Sequence, residues 1–217
     1  MSSVNSTRVF KAMEAEILSG RLKPRERLVE MDLIARFGVS RTVIREAIKM
    51  LEAKGLVRTT PYRGAAVADL TVEEIGEIYF VRGHLERIAA RLVLVHVTAR
   101  DVRRLKSLAR EVEQHLRKKT DRMIEMDSQF HRALFSIGRN RYLCELIDFL
   151  RTQAHVVRFN AWSLPDRIEQ SIFEHRQIIQ AIEERDLRRL QKLVVRHLMV
   201  SKNSYLSQLK GLKERKE

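Results

Sequence analysis

The stretch from Phe37 to Lys49 constrains what this chain can fold into more than any other part of the sequence. Gly38 can adopt the left-handed backbone conformation that ends one helix, and Ser40 can cap the start of the next. A period of 3.6 residues then puts apolar side chains on one face and basic ones on the other: Ile44, Ala47, Ile48 and Leu51 against Arg41, Arg45 and Lys49. The pattern predicts a helix-turn-helix whose second helix has a basic edge, although a basic edge alone is equally typical of a solvated helix face.

The flanking segments complete the unit. Apolar residues at helical spacing predict a first helix, capped by Ser6 or Thr7, and a second helix over residues 28–36. After residue 55 the spacing changes to that of strands, and residues 56–60 and 65–68 flank a turn in which Gly64 supplies a positive φ. Residues 1–69 are therefore expected to form a winged helix-turn-helix with a two-stranded wing. Arg63, at the wing tip, either reaches DNA phosphates or a minor groove, or is simply solvated.

Residues 70–217 are expected to form a second, all-helical domain, because no strand pattern returns. The periodicity predicts six helices, over about 71–97, 100–118, 121–138, 140–161, 165–185 and 186–211. Thr71 and Glu74 have the spacing of a capping box at the start of the first. The predicted fold class is mainly α, with a winged helix-turn-helix followed by an antiparallel helical bundle.

The net charge of +14 favours a polyanionic partner, either nucleic acid or an anionic membrane surface. The excess is spread along the chain, since residues 1–69 hold 13 Lys and Arg against 8 Asp and Glu. No apolar run approaches the roughly 20 residues that span a bilayer, and the start of the chain lacks a signal-peptide core. The single cysteine, Cys144, excludes an internal disulfide and fits a reducing compartment. We expect a cytoplasmic protein without a membrane partner.

Four residues with metal-ligating side chains fall on apolar helix faces in the second domain: Asp127, His131, His175 and His197. Asp127 and His131 are four apart, hence close enough on one face to share an ion. Each histidine taken alone is better explained as a hydrogen-bonded core residue. A buried carboxylate, however, needs a charge partner, and a cation held by three imidazoles would provide one.

Arg82 is a second candidate, because the apolar spacing of its helix turns it toward the core. A buried guanidinium needs an anionic partner. Glu86, one turn on, is one such partner. The carboxylate of a ligand that bridges a metal ion and Arg82 is the other.

The order of these elements resembles the bacterial GntR family of transcription regulators of the FadR/VanR type, whose C-terminal module is the FCD domain. The motifs that carry the resemblance are Gly38–Ala47, Leu51–Val57 and Gly64–Val67, and it covers nearly the whole chain. Two positions depart from the family pattern. Arg25 stands where the family usually has glycine, and Met31 stands where the fatty-acid-responsive members have an arginine that contacts DNA, so that contact is not carried over.

The resemblance implies that Arg41, Thr42 and Arg45 contact an operator and that the wing around Gly64 follows the DNA backbone. Arg45 is the best candidate for reading a base, because arginine can bond guanine O6 and N7 together. Lys49 is expected at a phosphate or in solvent. The family also implies a homodimer on a palindromic operator, usually as a repressor.

The spacing Asp127-x3-His131, then His175 and His197, resembles the metal-binding FCD subgroup, in which a divalent ion lies near the effector. The ligand types favour zinc, with nickel or manganese as alternatives. In family members the arginine of the segment matching Arg82-x-x-Leu-Glu points into the effector pocket, which implies a small carboxylic acid as effector.

Two other hypotheses compete with an effector-controlled regulator. A metal-dependent hydrolase with a DNA-binding arm is disfavoured, because the sequence has neither an H-E-x-x-H motif nor a well-placed glutamate base, so we expect no enzyme activity. The other rival is a regulator in which the metal is purely structural.

Overall fold

Helices dominate both units into which the contacts of this computed structural model divide the chain, Met1–Leu70 and Thr71–Glu217. The structure describes residues 2–214. The first unit contains α1 (Ser2–Leu18), β1 (Arg27–Leu28), α2 (Glu30–Phe37), α3 (Arg41–Ala53), β2 (Val57–Thr60) and β3 (Gly64–Val67). The predicted winged helix-turn-helix is confirmed.

The turn between α2 and α3 has the predicted geometry. Gly38 has φ 62°, and its N–H donates to the carbonyl of Ile34. The hydroxyl of Ser40 accepts from the N–H of Val43 at 3.4 Å, which caps α3. The predicted apolar face of α3 is buried against α1, where Met13 and Ile17 form the other side of the core. Burial of this face leaves the basic edge of α3 exposed.

The wing differs from the prediction by one strand. The antiparallel sheet has the order β1-β3-β2, and the two-residue strand β1 pairs Arg27 with Ala66 and Leu28 with Ala65. Two residues are too few to show strand alternation in a sequence. The first helix also differs, because it begins at Ser2, ahead of the expected cap at Ser6 or Thr7.

The second unit is a bundle of helices that pack around a shared core. They are α4 (Val72–His96), α5 (Ala99–Arg117), α6 (Met123–Ser136), α7 (Arg141–Gln153), α8 (His155–Ala161), α9 (Pro165–Glu183) and α10 (Leu187–Glu214). The capping box of Thr71 and Glu74 is present. Helix α10 packs against α4, α8 and α9, and α6 lies against α5, α7 and α4. None of the helices in residues 2–214 is long and apolar enough to cross a membrane.

One helix of the prediction is divided into two helices in the structure. The segment expected to be helical over 140–161 breaks at Ala154, whose φ of −86° and ψ of 20° leave the α conformation and separate α7 from α8. No glycine or proline marks this break, so periodicity alone continues through it. The break buries both Ala154 and His155.

Candidate functional site

The first candidate surface lies on the exposed edge of α3. Arg41, Thr42, Arg45 and Lys49 are all exposed there. The Nε atom of Arg45 donates to Oε1 of Glu30 at 2.7 Å, and Nε of Arg41 lies 3.6 Å from Oε2 of the same carboxylate. Sequence reasoning missed Glu30, because only the turn between α2 and α3 brings it back over α3.

The wing forms the other wall of this surface. A groove of about 610 Å³ is lined by Arg45 and Lys49 from α3 and by Arg63 and Gly64 from the wing. Gly64 has φ 79°, and the carbonyl of Arg63 accepts from Nη2 of Arg27 at 2.9 Å. The structure therefore brings four of the six candidate DNA-contacting residues to one groove. A fifth, Arg41, contacts Glu30, which also lines the groove. Basic side chains outnumber the carboxylates of Glu30 and Glu52 in the lining, so the groove can accept phosphates and base edges.

The second candidate site lies inside the helical bundle. Its four residues come from three helices: Asp127 and His131 from α6, His175 from α9 and His197 from α10. All four are buried, and one ligand atom from each lies within 4.8 Å of the others. The structure thus brings together the complete set that the sequence singled out.

Asp127 has two chemically different oxygen atoms. Oδ2 accepts from Nη2 of Arg151 at 2.8 Å and from Nη1 of Arg158 at 2.6 Å. Oδ1 has no hydrogen-bond partner in the part of the chain that is described, yet it is fully buried. It lies 3.5 Å from Nε2 of His131 and 3.4 Å from Nε2 of His175. Burial raises the pKa of Asp127, but the neighbouring imidazole and guanidinium groups outweigh burial and hold this pKa well below its ordinary value.

Two of the imidazole groups, those of His131 and His197, are in the form that binds metal ions. Burial, reinforced by the positive charge of Arg151, holds the pKa of His131 well below its ordinary value. Burial lowers the pKa of His197 to about 4, even though its hydrogen bond to Glu174 opposes the shift. Both rings are therefore neutral at pH 7, and a neutral imidazole is a metal ligand.

The spacing of these atoms fits a metal ion. With metal–ligand distances of about 2.0–2.1 Å, neighbouring ligands of a tetrahedral ion are about 3.3–3.4 Å apart. Nε2 of His131 and Nε2 of His175 are 3.3 Å apart, and both lie at closely similar distances from Oδ1 of Asp127. Nδ1 of His197 is bonded to Glu174, which leaves Nε2 of His197 as the fourth ligand atom. The residues present therefore fit a divalent ion bound by one carboxylate and three imidazoles.

Arg82 is buried on α4, as its spacing predicts. Its Nη2 and Nε atoms donate to Oε1 of Glu86 at 2.8 and 3.2 Å, so the intrahelical partner foreseen as one alternative is in contact. The remaining Nη1 atom forms no hydrogen bond to any described residue. The contact of Arg82 with the carboxylate of an effector stays a prediction.

Sequence reasoning missed four buried residues beside the cluster: Arg151, Arg158, Arg167 and Glu174. The guanidinium of Arg167 lies 3.1 Å from Oε2 of Glu174 and donates to Ser201 at 2.9 Å. The signal that could have found Arg158 is its place in a run of apolar residues, Val156 and Val157 before it and Phe159 after it. Arginine in such a run needs a buried anion.

Comparison with known proteins agrees with both units. A model of "bacterial regulatory proteins, gntR family" matches residues 5–67, and a model of the FCD domain matches residues 77–199. The HTH-type transcriptional regulator YdhC of Bacillus subtilis is 29% identical over 87% of this chain and 85% of its own length. The HTH-type transcriptional repressor RspR of Escherichia coli is 25% identical over 88% of this chain and 84% of its own length.

Solved structures show the same fold. McbR/YncC of E. coli superposes with a TM-score of 0.81 at 21% identity, covering 94% of this chain and 98% of that one. A GntR regulator from Rhodococcus superposes with a TM-score of 0.78 at 24% identity, covering 93% and 97%. At these identities the likeness extends to the fold alone.

Proposed function

This chain belongs to the gntR family of bacterial regulatory proteins and carries an FCD domain, and from that premise we propose a homodimeric repressor controlled by a small organic acid bound beside a divalent metal ion. Its relatives are transcription regulators, and the chain is a DNA-binding regulator and not an enzyme. FCD domains often bind a metal ion. The metal ion and its identity, the homodimer, the repression and the effector control are the parts we propose.

The observation that carries the proposal is the buried Oδ1 atom of Asp127. It has no hydrogen-bond partner within residues 2–214 and lies 3.5 Å from Nε2 of His131 and 3.4 Å from Nε2 of His175. An unpaired buried carboxylate oxygen is costly, and a cation at this point removes the cost. The donor set favours zinc, with nickel or manganese as alternatives.

On the DNA side, we propose that two copies of α3 enter successive major grooves of a palindromic operator. Arg45 reads a guanine, with Arg41 and Thr42 beside it, while Lys49 bonds a phosphate. Arg63 and Gly64 of the wing follow the sugar-phosphate backbone. The groove shared by α3 and the wing supports this assignment, because its lining has four basic side chains, Arg27, Arg45, Lys49 and Arg63, against the two carboxylates of Glu30 and Glu52.

On the effector side, the metal would supply a positive charge that attracts a carboxylate, and Arg82 offers a guanidinium for a second contact. An effector controls DNA binding if it binds one dimer geometry better than the other. A tenfold change in operator affinity requires only about 1.4 kcal/mol of such preference. We propose that the acid releases the repressor from its operator.

Metal content tests the proposal directly. Native mass spectrometry of the full chain should show one divalent ion per chain, and Asp127→Ala and His131→Ala variants should lose it. His84→Gln is the matched control, because His84 is an exposed histidine of the same unit. A wild-type chain that neither retains an ion nor binds added zinc would refute the metal site. Zinc binding without any response to organic acids would instead leave a purely structural ion.

A further inference from the structure

The second unit holds most of the excess positive charge of this chain, and α10 holds more of it than any other described helix. Residues 70–217 contain 29 Lys and Arg against 20 Asp and Glu, since residues 1–69 hold 13 of the 42 basic and 8 of the 28 acidic residues. Residues 187–209 of α10 contain five basic residues and no aspartate or glutamate. Helix α4 packs against α10, and residues 80–96 of α4 contain one carboxylate, Glu86, which is buried. Neither segment therefore exposes a carboxylate.

Five exposed basic residues form two rows on these helices, which we call the basic rows. Arg188, Lys192 and Arg196 follow one another at intervals of four residues on α10, and Arg87 and Arg91 have the same spacing on α4. None of the five side chains has a hydrogen-bond or ion-pair partner within residues 2–214. Like charges four residues apart destabilise a helix, and Arg188, in the first turn of α10, also opposes the helix dipole. The basic rows therefore disfavour folding, and no contact among the described residues offsets this.

The two rows lie side by side because α4 and α10 pack antiparallel. Nε2 of Gln191 donates to the carbonyl of Arg87 at 3.1 Å. Nearer the end of α4, Nη1 of Arg185 donates to the carbonyl of Leu94 at 3.1 Å. Residue numbers thus rise along one helix as they fall along the other, and this register places the arginines of α4 beside the row on α10. The result is one continuous cationic surface.

Other exposed basic residues of this unit are mixed with carboxylates. Helix α5 is also rich in basic residues, but it carries Asp101, Glu111 and Glu113 between them. Five exposed arginines elsewhere on the unit lie against carboxylates: Arg117, Arg122, Arg132, Arg141 and Arg176. A solvated surface of mixed charge needs no partner. The basic rows differ from it, because like charges stand together there without compensation by any described residue.

We propose that the basic rows bind the phosphate backbone of duplex DNA and so give the second unit a DNA contact of its own. This goes beyond the proposed function, because it depends on neither the metal ion nor an effector. Guanidinium groups suit phosphate, since their planar fork can bond two of its oxygen atoms. The DNA-binding unit in the same chain keeps DNA close by, which raises the effective concentration of phosphates at the rows.

The length of the row on α10 suits a DNA strand. At a rise of 1.5 Å per residue, Arg188 and Arg196 are about 12 Å apart along the helix axis. One strand of B-DNA carries a phosphate about every 3.4 Å along its own axis, so the row can meet about three phosphates. Such contacts read no sequence. The rows therefore add affinity for DNA without adding discrimination between sequences.

An anionic membrane is the other polyanion that a basic helix can meet. A helix that lies on a membrane buries an apolar face in it. Helix α4 exposes Phe80, Ile88 and Val95, but none of the large exposed apolar residues in the described part of the chain lies on α10, which carries the longer row. The structure therefore favours DNA over a membrane surface.

The salt dependence of DNA binding tests the proposal on the full chain. Fluorescence anisotropy with a long random-sequence duplex over a series of salt concentrations gives the slope of log Kd against log salt. In the triple variant Arg188→Gln, Lys192→Gln, Arg196→Gln, the slope should fall by about 0.9 for each phosphate contact removed, hence by about 2–3 for the row. The double variant Arg87→Gln, Arg91→Gln should lower it by about 2. At low salt the triple variant should bind this duplex roughly tenfold more weakly.

The matched control is the triple variant Arg122→Gln, Arg132→Gln, Arg176→Gln. It removes the same number of exposed arginine charges from the same unit, but each of these arginines lies against a carboxylate. Its slope should stay within about one of the wild-type slope. Circular dichroism without DNA compares the unfolding temperatures. The variant of the row on α10 should unfold at the same temperature as the wild-type chain or higher, because repulsion within the row is removed.

Four results would overturn the proposal. The first is a slope in the variant of the α10 row equal to that of the wild-type chain, and the second is an equal fall in the control, which would reflect net charge alone. The third is a lower unfolding temperature of the row variant, since the row would then stabilise the fold. The fourth is binding of phosphatidylglycerol vesicles that the row variant loses while its DNA slope is unchanged, which would assign the rows to a membrane. Failure of the proposed base reading appears separately, as unchanged sequence discrimination in Arg45→Ala, and leaves these slopes unaffected.

Discussion

Nδ1 of His197 lies 2.7 Å from Oε2 of Glu174, and this contact orients the imidazole so that Nε2 faces the other three candidate ligands. Burial raises the pKa of Glu174, but the hydrogen bond from His197 and the charge of Arg167 outweigh burial and leave it lowered. Glu174 is thus an anion that holds His197 in the tautomer with its proton on Nδ1. Such outer partners of ligating histidines fix ring orientation and raise ligand basicity.

Glu174→Gln should weaken zinc binding about 10- to 100-fold, the usual effect of losing a carboxylate behind a ligating histidine. Competition with a chelator of known affinity measures the zinc Kd. Glu169→Gln is the control, because Glu169 lies on the same helix but is exposed and paired with Arg117. Equal zinc affinity in Glu174→Gln and the wild-type chain would contradict the positioning role.

Arg45→Ala should reduce the discrimination between operator and random duplexes, because a guanine contact contributes about 1–3 kcal/mol to specificity. Lys49→Ala should instead weaken both duplexes alike and reduce the salt dependence of binding, as expected of a phosphate contact. Fluorescence anisotropy with both duplexes over a series of salt concentrations gives, for each variant, the ratio of operator affinity to random-duplex affinity and the salt dependence of binding. An unchanged ratio in Arg45→Ala would remove Arg45 from base recognition.

Glu30→Gln should strengthen binding to random DNA about fivefold at low salt, the effect of roughly 1 kcal/mol from one carboxylate removed near the phosphates. The carboxylate lies against Arg45 and Arg41, so its removal frees both guanidinium groups for DNA. Folding should change little, since exposed ion pairs contribute about 0–1 kcal/mol. The gain should fade as salt is raised. Anisotropy with a random duplex tests this, and an affinity equal to wild type would contradict it.

Stability should fall with acid partly through His155. Burial lowers its pKa to about 4, opposed by its hydrogen bond to the backbone of Thr152, whereas the unfolded chain has a pKa near 6.5. The unfolded state therefore binds more protons between these values. The contribution of His155 to the free energy of unfolding is complete above about pH 6.5 and is lost as pH falls toward 4. Its maximum is about 3 kcal/mol.

His155→Gln should accordingly show a flatter dependence of unfolding free energy on pH between 4.5 and 6.5. Urea unfolding followed by circular dichroism measures it, with chelator present in all samples so that metal-linked protonation is absent from both proteins. Parallel pH profiles for the variant and the wild-type chain would show that His155 is not the titrating group.

Sequence patterns sufficed wherever the physical cause was local. The turn at Gly38 and the cap at Ser40 depend on residues a few positions apart, and both have the expected geometry. The buried face of α3 follows from its period, because a helix with one apolar stripe turns that stripe inward. The family resemblance, carried by the motifs around Ser40 and Gly64, identified the two domains, which the family models match.

Local patterns failed where long-range contacts decide. Strand β1 exists only because Leu28 pairs with Ala65 across the wing, and the break at Ala154 has no glycine or proline to announce it. Both features gain their stability from burial against distant segments, which periodicity within one segment does not report.

By itself, then, the sequence determined the fold class, the exposed edge of α3 and the inward positions of Asp127 and the three histidines, since these follow from helical spacing. Only the tertiary structure decided how the buried charges pair. Arg151, Arg158 and Glu174 lie 24, 31 and 23 residues from their partners Asp127 and His197. Packing of α7 and α8 against α6, and of α10 against α9, sets those distances, and the interaction energy of buried charges depends on them.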